Sequence, residues 1–126
     1  MYRFFVSAVL SFALIGCMQR PADLERNLDE YELLAVLAAQ ELKPGQIHNR
    51  EEVTSSLSML MSNLDIHRVR YDISGAYVAL SGSSNIFVGQ FSYIYKLGDK
   101  EVHLEDGPTI QRTQITERWY SEEATW

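Results

Sequence analysis

The chain has 126 residues and a formal net charge of −6, from 17 Asp and Glu against 11 Lys and Arg. That length is enough for one domain of ordinary size. The acidic balance argues against nucleic-acid binding and against electrostatic docking on anionic lipid, because both need clustered Lys and Arg. The chain has one cysteine, so no internal disulfide can form and stability must come from a buried core.

The first residues have the layout of a secretory signal. Arg3 supplies one positive charge, Phe4 to Ile15 form an uncharged apolar run, and the chain becomes polar soon after Cys17. A membrane-spanning helix needs about 20 apolar residues. The run therefore predicts targeting and not a retained span.

The residues Leu14-Ile15-Gly16-Cys17 resemble the lipobox of bacterial lipoproteins. The resemblance implies that residues 1–16 are a cleaved signal peptide and that the Cys17 thiol carries a diacylglycerol, so the membrane is a partner through this lipid. It also implies the periplasmic side of the outer membrane, because Met18 is not the Asp that commonly retains such proteins in the inner membrane. The inner membrane and the cell surface are the alternative locations. An ordinary signal peptide, or an N-terminal helix with an incidental cysteine, is the competing interpretation.

A short lipidated tether, residues 17–22, is predicted to precede a single domain, residues 23–126. At about 3.5 Å per residue, the spacer from Met18 to Ala22 reaches at most roughly 20 Å. We therefore expect the domain to lie close to the membrane.

The first predicted element is an amphipathic helix that begins near Asp23 and stops at Pro44-Gly45. Its apolar residues recur every three or four positions, as on one face of a helix. The acidic residues on another face are interpreted as a solvated surface.

A second helix is predicted at about 50–63. Asn49 and Glu52 have the spacing of an N-terminal capping box, in which each side chain satisfies a free backbone donor. Met59 and Met61 are both assigned to the core, where methionine commonly fills gaps.

After Asp65 the apolar period changes from helical to two, which indicates a sheet. Turn residues divide this part into five predicted strands, with Leu97-Gly98-Asp99-Lys100 as the clearest hairpin turn. The strands are 67–73, 76–81, 86–97, 101–105 and 109–119. The pattern predicts an α+β fold, with two N-terminal helices packed on a curved antiparallel sheet of about four to five strands.

Three features suggest a family. They are the helix opening Asn49–Val53, the short hairpin Tyr71–Ala79, and the spacing of Thr109, Trp119 and Trp126. From Asn49 onward the order of elements is similar to the nuclear transport factor 2-like superfamily, the cone-shaped fold that ketosteroid isomerase and SnoaL-like proteins share. Only one helix precedes Asn49, where the family usually has two helices and a hairpin, so a truncated cone, a cystatin-like sheet and an unrelated α+β layer stay open. The family's catalytic motif before the sheet is missing, and no catalytic residue is carried over.

Aromatic side chains on the longest strand and on a neighbouring strand form the candidate pocket or partner face. Its residues are Phe87, Phe91, Tyr93, Tyr95 and Trp119. Gly89 leaves a gap among them. Such a face suits an apolar ligand or a partner's strand or helix; the alternative is that it packs under the two helices as core.

No catalytic constellation is predicted. Glu101, His103 and Glu105 share a strand face and could meet a metal, but alternating polar residues are also typical of an exposed strand and no second cluster supplies further ligands. His48 and His67 stand apart from any Ser or Cys nucleophile. We therefore expect no metal and no cofactor.

The sequence leads to two hypotheses. The first is a non-enzymatic, lipid-anchored periplasmic protein that binds an envelope protein partner, as in envelope maintenance or in secretion or pilus assembly, and not nucleic acid. The second is a small-molecule-binding protein or enzyme that uses the concave face of a cone-shaped sheet.

Overall fold

The computed structural model describes residues 20–84, 89–99 and 110–125. In these residues two helices accompany six strands. The helices are α1 (Leu28–Glu41) and α2 (Ser55–Asn63), and the strands are β1 (Ile47–Asn49), β2 (Arg68–Tyr71), β3 (Tyr77–Ser81), β4 (Gly89–Lys96), β5 (Ile110–Gln114) and β6 (Trp119–Thr125). The strands form one sheet in the order β1-β2-β3-β4-β6-β5, and all neighbours are antiparallel. The predicted α+β class is confirmed, with six described strands where four to five were expected.

Helix α1 buries one face and is preceded by a single 3₁₀ turn, Glu25–Asn27. Its buried residues are Tyr31, Leu34, Ala35 and Ala38. Their spacing of three, one and three positions is that of a single helix face. The helix ends where Leu42 takes an extended conformation, two residues before Pro44.

The second helix begins later than predicted. The predicted capping box between Asn49 and Glu52 is confirmed, but it closes only a 3₁₀ turn, Arg50–Glu52. Val53 is then extended, and Thr54 starts α2 by accepting a hydrogen bond from the Leu57 backbone N–H at 3.4 Å. A hydroxyl at this position satisfies one of the free donors of the first turn.

The assignment of Met59 to the core is wrong. Leu57 and Met61, one turn apart, are buried, whereas Met59 between them is 66% exposed. Two positions along a helix correspond to about 200° of rotation, so Met59 lies on the opposite face.

The main core lies between the helices and one face of the sheet. It joins helix residues with side chains from β2, β3, β4 and β6. The other face carries a smaller cluster, in which Ala76, Tyr77, Ala79 and Ile94 pack with Tyr120. Both faces of the central strands are therefore buried, and all five residues of β3 are buried.

The prediction of one strand over 109–119 is wrong. The chain forms β5, turns, and returns as β6, which pairs with β4 on its other edge. Thr116 makes the turn, because its hydroxyl oxygen accepts hydrogen bonds from the backbone N–H groups of Arg118 and Trp119 at 3.3 and 3.2 Å. Such side-chain-to-backbone bonds let Thr close a turn without Gly or Asn.

Some predictions fall outside the described residues: the strand at 101–105, its metal-ligand candidates Glu101, His103 and Glu105, and Phe87. Within the described ranges no helix is long and apolar enough to cross a membrane.

Candidate functional site

The described part of the predicted aromatic face lies in the core. Phe91, Tyr93 and Trp119 are buried there, and Tyr95 packs against them half-buried. Tyr31 of α1 enters this group edge-on, with ring centroids 5.2 Å from Tyr93 and 5.8 Å from Trp119. Aromatic pairs favour this edge-to-face arrangement. The position that a ligand would occupy against these rings is taken by Tyr31.

The hydroxyl groups of Tyr31 and Tyr93 are not set for acid–base chemistry at neutral pH. Burial raises the pKa of Tyr31 far above its ordinary value, so its hydroxyl stays protonated and donates to the Ala22 carbonyl oxygen at 2.5 Å. Burial also raises the pKa of Tyr93, although a hydrogen bond from the Leu24 backbone acts to lower it. The indole Nε1 of Trp119 is buried without an acceptor among the described residues.

A row of polar side chains crosses the sheet face that points away from the helices. Six consecutive strand partners form it: Asn49, Arg68, Ser81, Ser92, Glu122 and Arg112. Arg68 Nε donates to Asn49 Oδ1 at 3.3 Å, the two serine hydroxyls lie 2.8 Å apart, and Arg112 Nε donates to Glu122 Oε2 at 2.9 Å. Because the members bond to one another in pairs, this row favours a role in holding the strands in register.

The histidines form no catalytic or metal-binding group in the described ranges. His48 Nδ1 lies 4.0 Å from Glu52 Oε2, which is too long for a hydrogen bond, and His67 is exposed. No three His, Cys, Asp or Glu side chains of residues 20–84, 89–99 and 110–125 come together as metal ligands.

The first described residues, 20–24, form a strap that is bonded into the domain. Arg20 donates to Glu123 Oε1 of β6 at 2.5 Å, and its guanidinium lies 5.0 Å from the ring centre of Phe91. Ala22 N–H donates to the Leu64 carbonyl oxygen at 2.9 Å. The strap therefore belongs to the fold from Arg20 onward. The strap lies at the end of the sheet where β3 ends and β4 begins. We call this the Arg20 end.

At the opposite end, the turn between β2 and β3 presents an apolar side chain to solvent. Ile73 is 82% exposed and lies near Gly45, where an added Cβ would be 3.7 Å from the Ile73 Cγ1. Nearby Ile47, the first residue of edge strand β1, is 54% exposed. We call this the Ile73 end.

Hydrogen bonds hold the Ile73 turn rigid. The Asp72 carboxylate accepts from the Ser74 hydroxyl, from the Ser74 backbone N–H at 3.0 Å and from the Tyr77 hydroxyl. Burial acts to raise the pKa of Asp72, but these bonds outweigh it and hold the pKa below its usual value. Gly75 N–H donates to the Asp72 carbonyl oxygen at 2.9 Å, with a positive φ of 73° that glycine adopts readily.

Two of these features differ from the sequence-based view. Ile73 falls within the predicted strand 67–73, but that strand ends at Tyr71 and Ile73 lies in the turn. The sequence signal for the turn is Asp72 followed by Ser74-Gly75. The contact of Arg20 with Glu123 joins residues 103 positions apart, and no local pattern announces it.

The described residues form an α+β domain, with two helices on one face of an antiparallel sheet in which six strands are described. No protein-family model matches the chain, and no curated protein or solved structure matches it either.

Proposed function

We propose that this chain is a lipid-anchored periplasmic accessory protein that acts next to the outer membrane by binding an envelope protein. The lipobox resemblance at Leu14–Cys17 supports the anchor. The observation that carries the rest is the strap: Arg20, three residues after Cys17, is already bonded to β4 and β6. A domain attached so closely to its lipid has little reach, and it acts on what lies at the membrane.

We propose the Ile73 end as the contact for the partner. A large apolar side chain that is 82% exposed on a hydrogen-bonded turn is ordered before binding, so little conformational entropy is lost when it is buried. Anchors of this kind, inserted in a partner's pocket, supply most of the binding energy at many interfaces. The partner's matching surface is an apolar socket. The filling of the aromatic face by Tyr31 removes the main reason to prefer a small-molecule ligand.

A photo-crosslinker placed at residue 73 tests this function in intact cells. We expect one specific adduct with an envelope protein. In the anchored protein carrying the crosslinker elsewhere, Ile73→Asp should make that partner's recovery fall about tenfold, because the apolar anchor of the interface is lost. A tenfold change in affinity corresponds to roughly 1.4 kcal/mol.

Gln40→Asp is the matched control, since Gln40 is exposed on α1 and the change adds the same charge. It should leave recovery unchanged. An anchored protein that yields no adduct from position 73, or equal losses for the two variants, would contradict the proposed contact.

A further inference from the structure

We infer that the Arg20 end of the sheet lies against the lipid surface and that the Ile73 end points away from it. This orientation rests on the proposed function, because it requires a lipid on Cys17. Its occupant is the headgroup surface of the bilayer in which that lipid is inserted.

The length of chain between the lipid and the domain sets the first limit. Three residue steps separate Cys17 from Arg20, and they span at most about 10 Å when fully extended. A tether that stayed free up to Ala22 would reach about twice as far and let the domain turn. The contacts of Arg20 with Glu123 and Phe91 remove that freedom.

The strap is fixed at more than one point. Pro21 is buried, Ala22 N–H donates to the Leu64 carbonyl oxygen, and the Ala22 carbonyl oxygen accepts from the Tyr31 hydroxyl. Leu24 is buried in the main core. Strands β4 and β6 and helices α1 and α2 thus all hold the strap, so the whole domain follows the lipid.

The sheet sets the distance between the two ends. Phe91, which lies under Arg20, is five residues before Lys96, and Lys96 pairs with Tyr77 at the start of β3. At about 3.3 Å per residue, that length of strand is roughly 17 Å. Ile73 lies in the turn beyond Tyr77, so it stands about 20 Å farther from the lipid than the Arg20 contacts do.

The domain is attached to the bilayer through the covalent lipid on Cys17 and not by electrostatic attraction. Glu123 neutralises the Arg20 guanidinium, and the chain as a whole carries a net charge of −6. Salt screens exposed charges but leaves acyl chains in the bilayer. Attachment of the domain to the membrane should therefore not change with ionic strength.

Two single-cysteine variants test the orientation. The sulfur of a lipidated Cys17 is a thioether, so Ser84→Cys and Glu117→Cys each add the only thiol of the mature protein. Ser84 is exposed at the Arg20 end, two residues after Gly82, whose N–H donates to the Phe91 carbonyl oxygen; Glu117 is exposed in the β5–β6 turn at the other end. Each lipidated variant is labelled with a maleimide fluorophore and placed in phosphatidylcholine vesicles that carry a nitroxide on the headgroup.

Quenching at position 84 should be at least about threefold stronger than at position 117, because the two ends are roughly 20 Å apart. Binding of both variants to the vesicles should be the same in low and high salt, because acyl chains and not charges hold the protein there. Equal quenching, or stronger quenching at position 117, would overturn the inference. If the lipid itself is absent, neither variant binds vesicles, and that failure belongs to the proposed function.

Arg20→Ala tests the strap as the cause. It should lower the quenching ratio while vesicle binding persists, because both Arg20 contacts are lost and the free tether lengthens toward Ala22, where the remaining hydrogen bonds still hold the strap. Arg26→Ala is the matched control, because it removes the same charge from a side chain that is 88% exposed. The Arg26 Nε makes only a long ion pair, 4.0 Å from Asp23 Oδ2. A ratio that Arg20→Ala leaves unchanged, in a variant that melts like wild type, would rule out the Arg20 contacts as the cause of the orientation.

Discussion

Gly89→Ala is expected to destabilise the protein by at least about 3 kcal/mol, because it combines backbone strain with a direct clash. Gly89 opens β4 at φ 146°, a conformation that L side chains rarely adopt. A Cβ there would lie 1.9 Å from the Ala124 carbonyl oxygen and 2.9 Å from its carbonyl carbon. Both atoms belong to the backbone of β6 and cannot move aside without breaking strand pairing.

Thermal unfolding of the purified protein measures this effect. A loss of that size lowers the midpoint by roughly 10–20 °C in a domain of about 100 residues. Gly98→Ala is the control, because a Cβ at Gly98 meets nothing within 4 Å. Equal midpoints for the two variants would contradict the close approach of β4 and β6.

Trp119→Ala should cost about 3–5 kcal/mol, the usual range for removing a fully buried large aromatic side chain. Trp119 is 1% exposed, and its ring centroid lies 4.7 Å from that of Tyr95 and 5.8 Å from that of Tyr31. Its removal leaves a cavity where α1 meets β6. Urea unfolding should show the loss as a lower midpoint with little change in slope.

Trp119→Phe separates packing from polarity at the same position. Phenylalanine keeps an aromatic ring and removes an indole N–H that has no acceptor among the described residues. Its cost should be less than half that of alanine, because an unsatisfied buried donor is itself unfavourable. A Trp119→Phe variant as unstable as Trp119→Ala would indicate that Nε1 has a partner.

Local patterns predicted both helices, although not the start of the second, and most of the central strands. The three-four spacing of apolar residues places Tyr31, Ala35 and Ala38 on one face, and this is the face that α1 buries. The pair Asn49 and Glu52 does form a capping box, although Val53 and Thr54 then delay the helix. A capping signal marks where backbone donors need partners, not how many turns follow.

The features missed from the sequence depend on single side chains or on distant pairing. No Gly, Asn or Pro marks the β5–β6 turn, because the Thr116 hydroxyl closes it. Strand β6 lies between β4 and β5 in the sheet, and the alternation of polar and apolar residues does not predict this long-range pairing. Gly89, taken as a gap among aromatic residues, is instead required by its closeness to the β6 backbone.

The same reasoning applies to the candidate site. The aromatic pattern on β4 is visible in the sequence, but alternation does not tell a pocket from a core, and only the position of Tyr31 against Tyr93 and Trp119 shows what fills it. The strap depends on a contact between Arg20 and Glu123, which are 103 positions apart, so the sequence near Arg20 does not predict it.

The central claim is that a lipid on Cys17 holds this domain at the membrane, and metabolic labelling with a palmitate analogue tests it most directly. The wild type should incorporate the label and fractionate with membranes. Cys17→Ser should not incorporate it, because only a thiol at that position can accept the diacylglycerol, and the signal should stay uncleaved. An unlabelled wild type, cleaved elsewhere and recovered soluble from the periplasm, would contradict the anchor, the membrane-proximal partner and the orientation together.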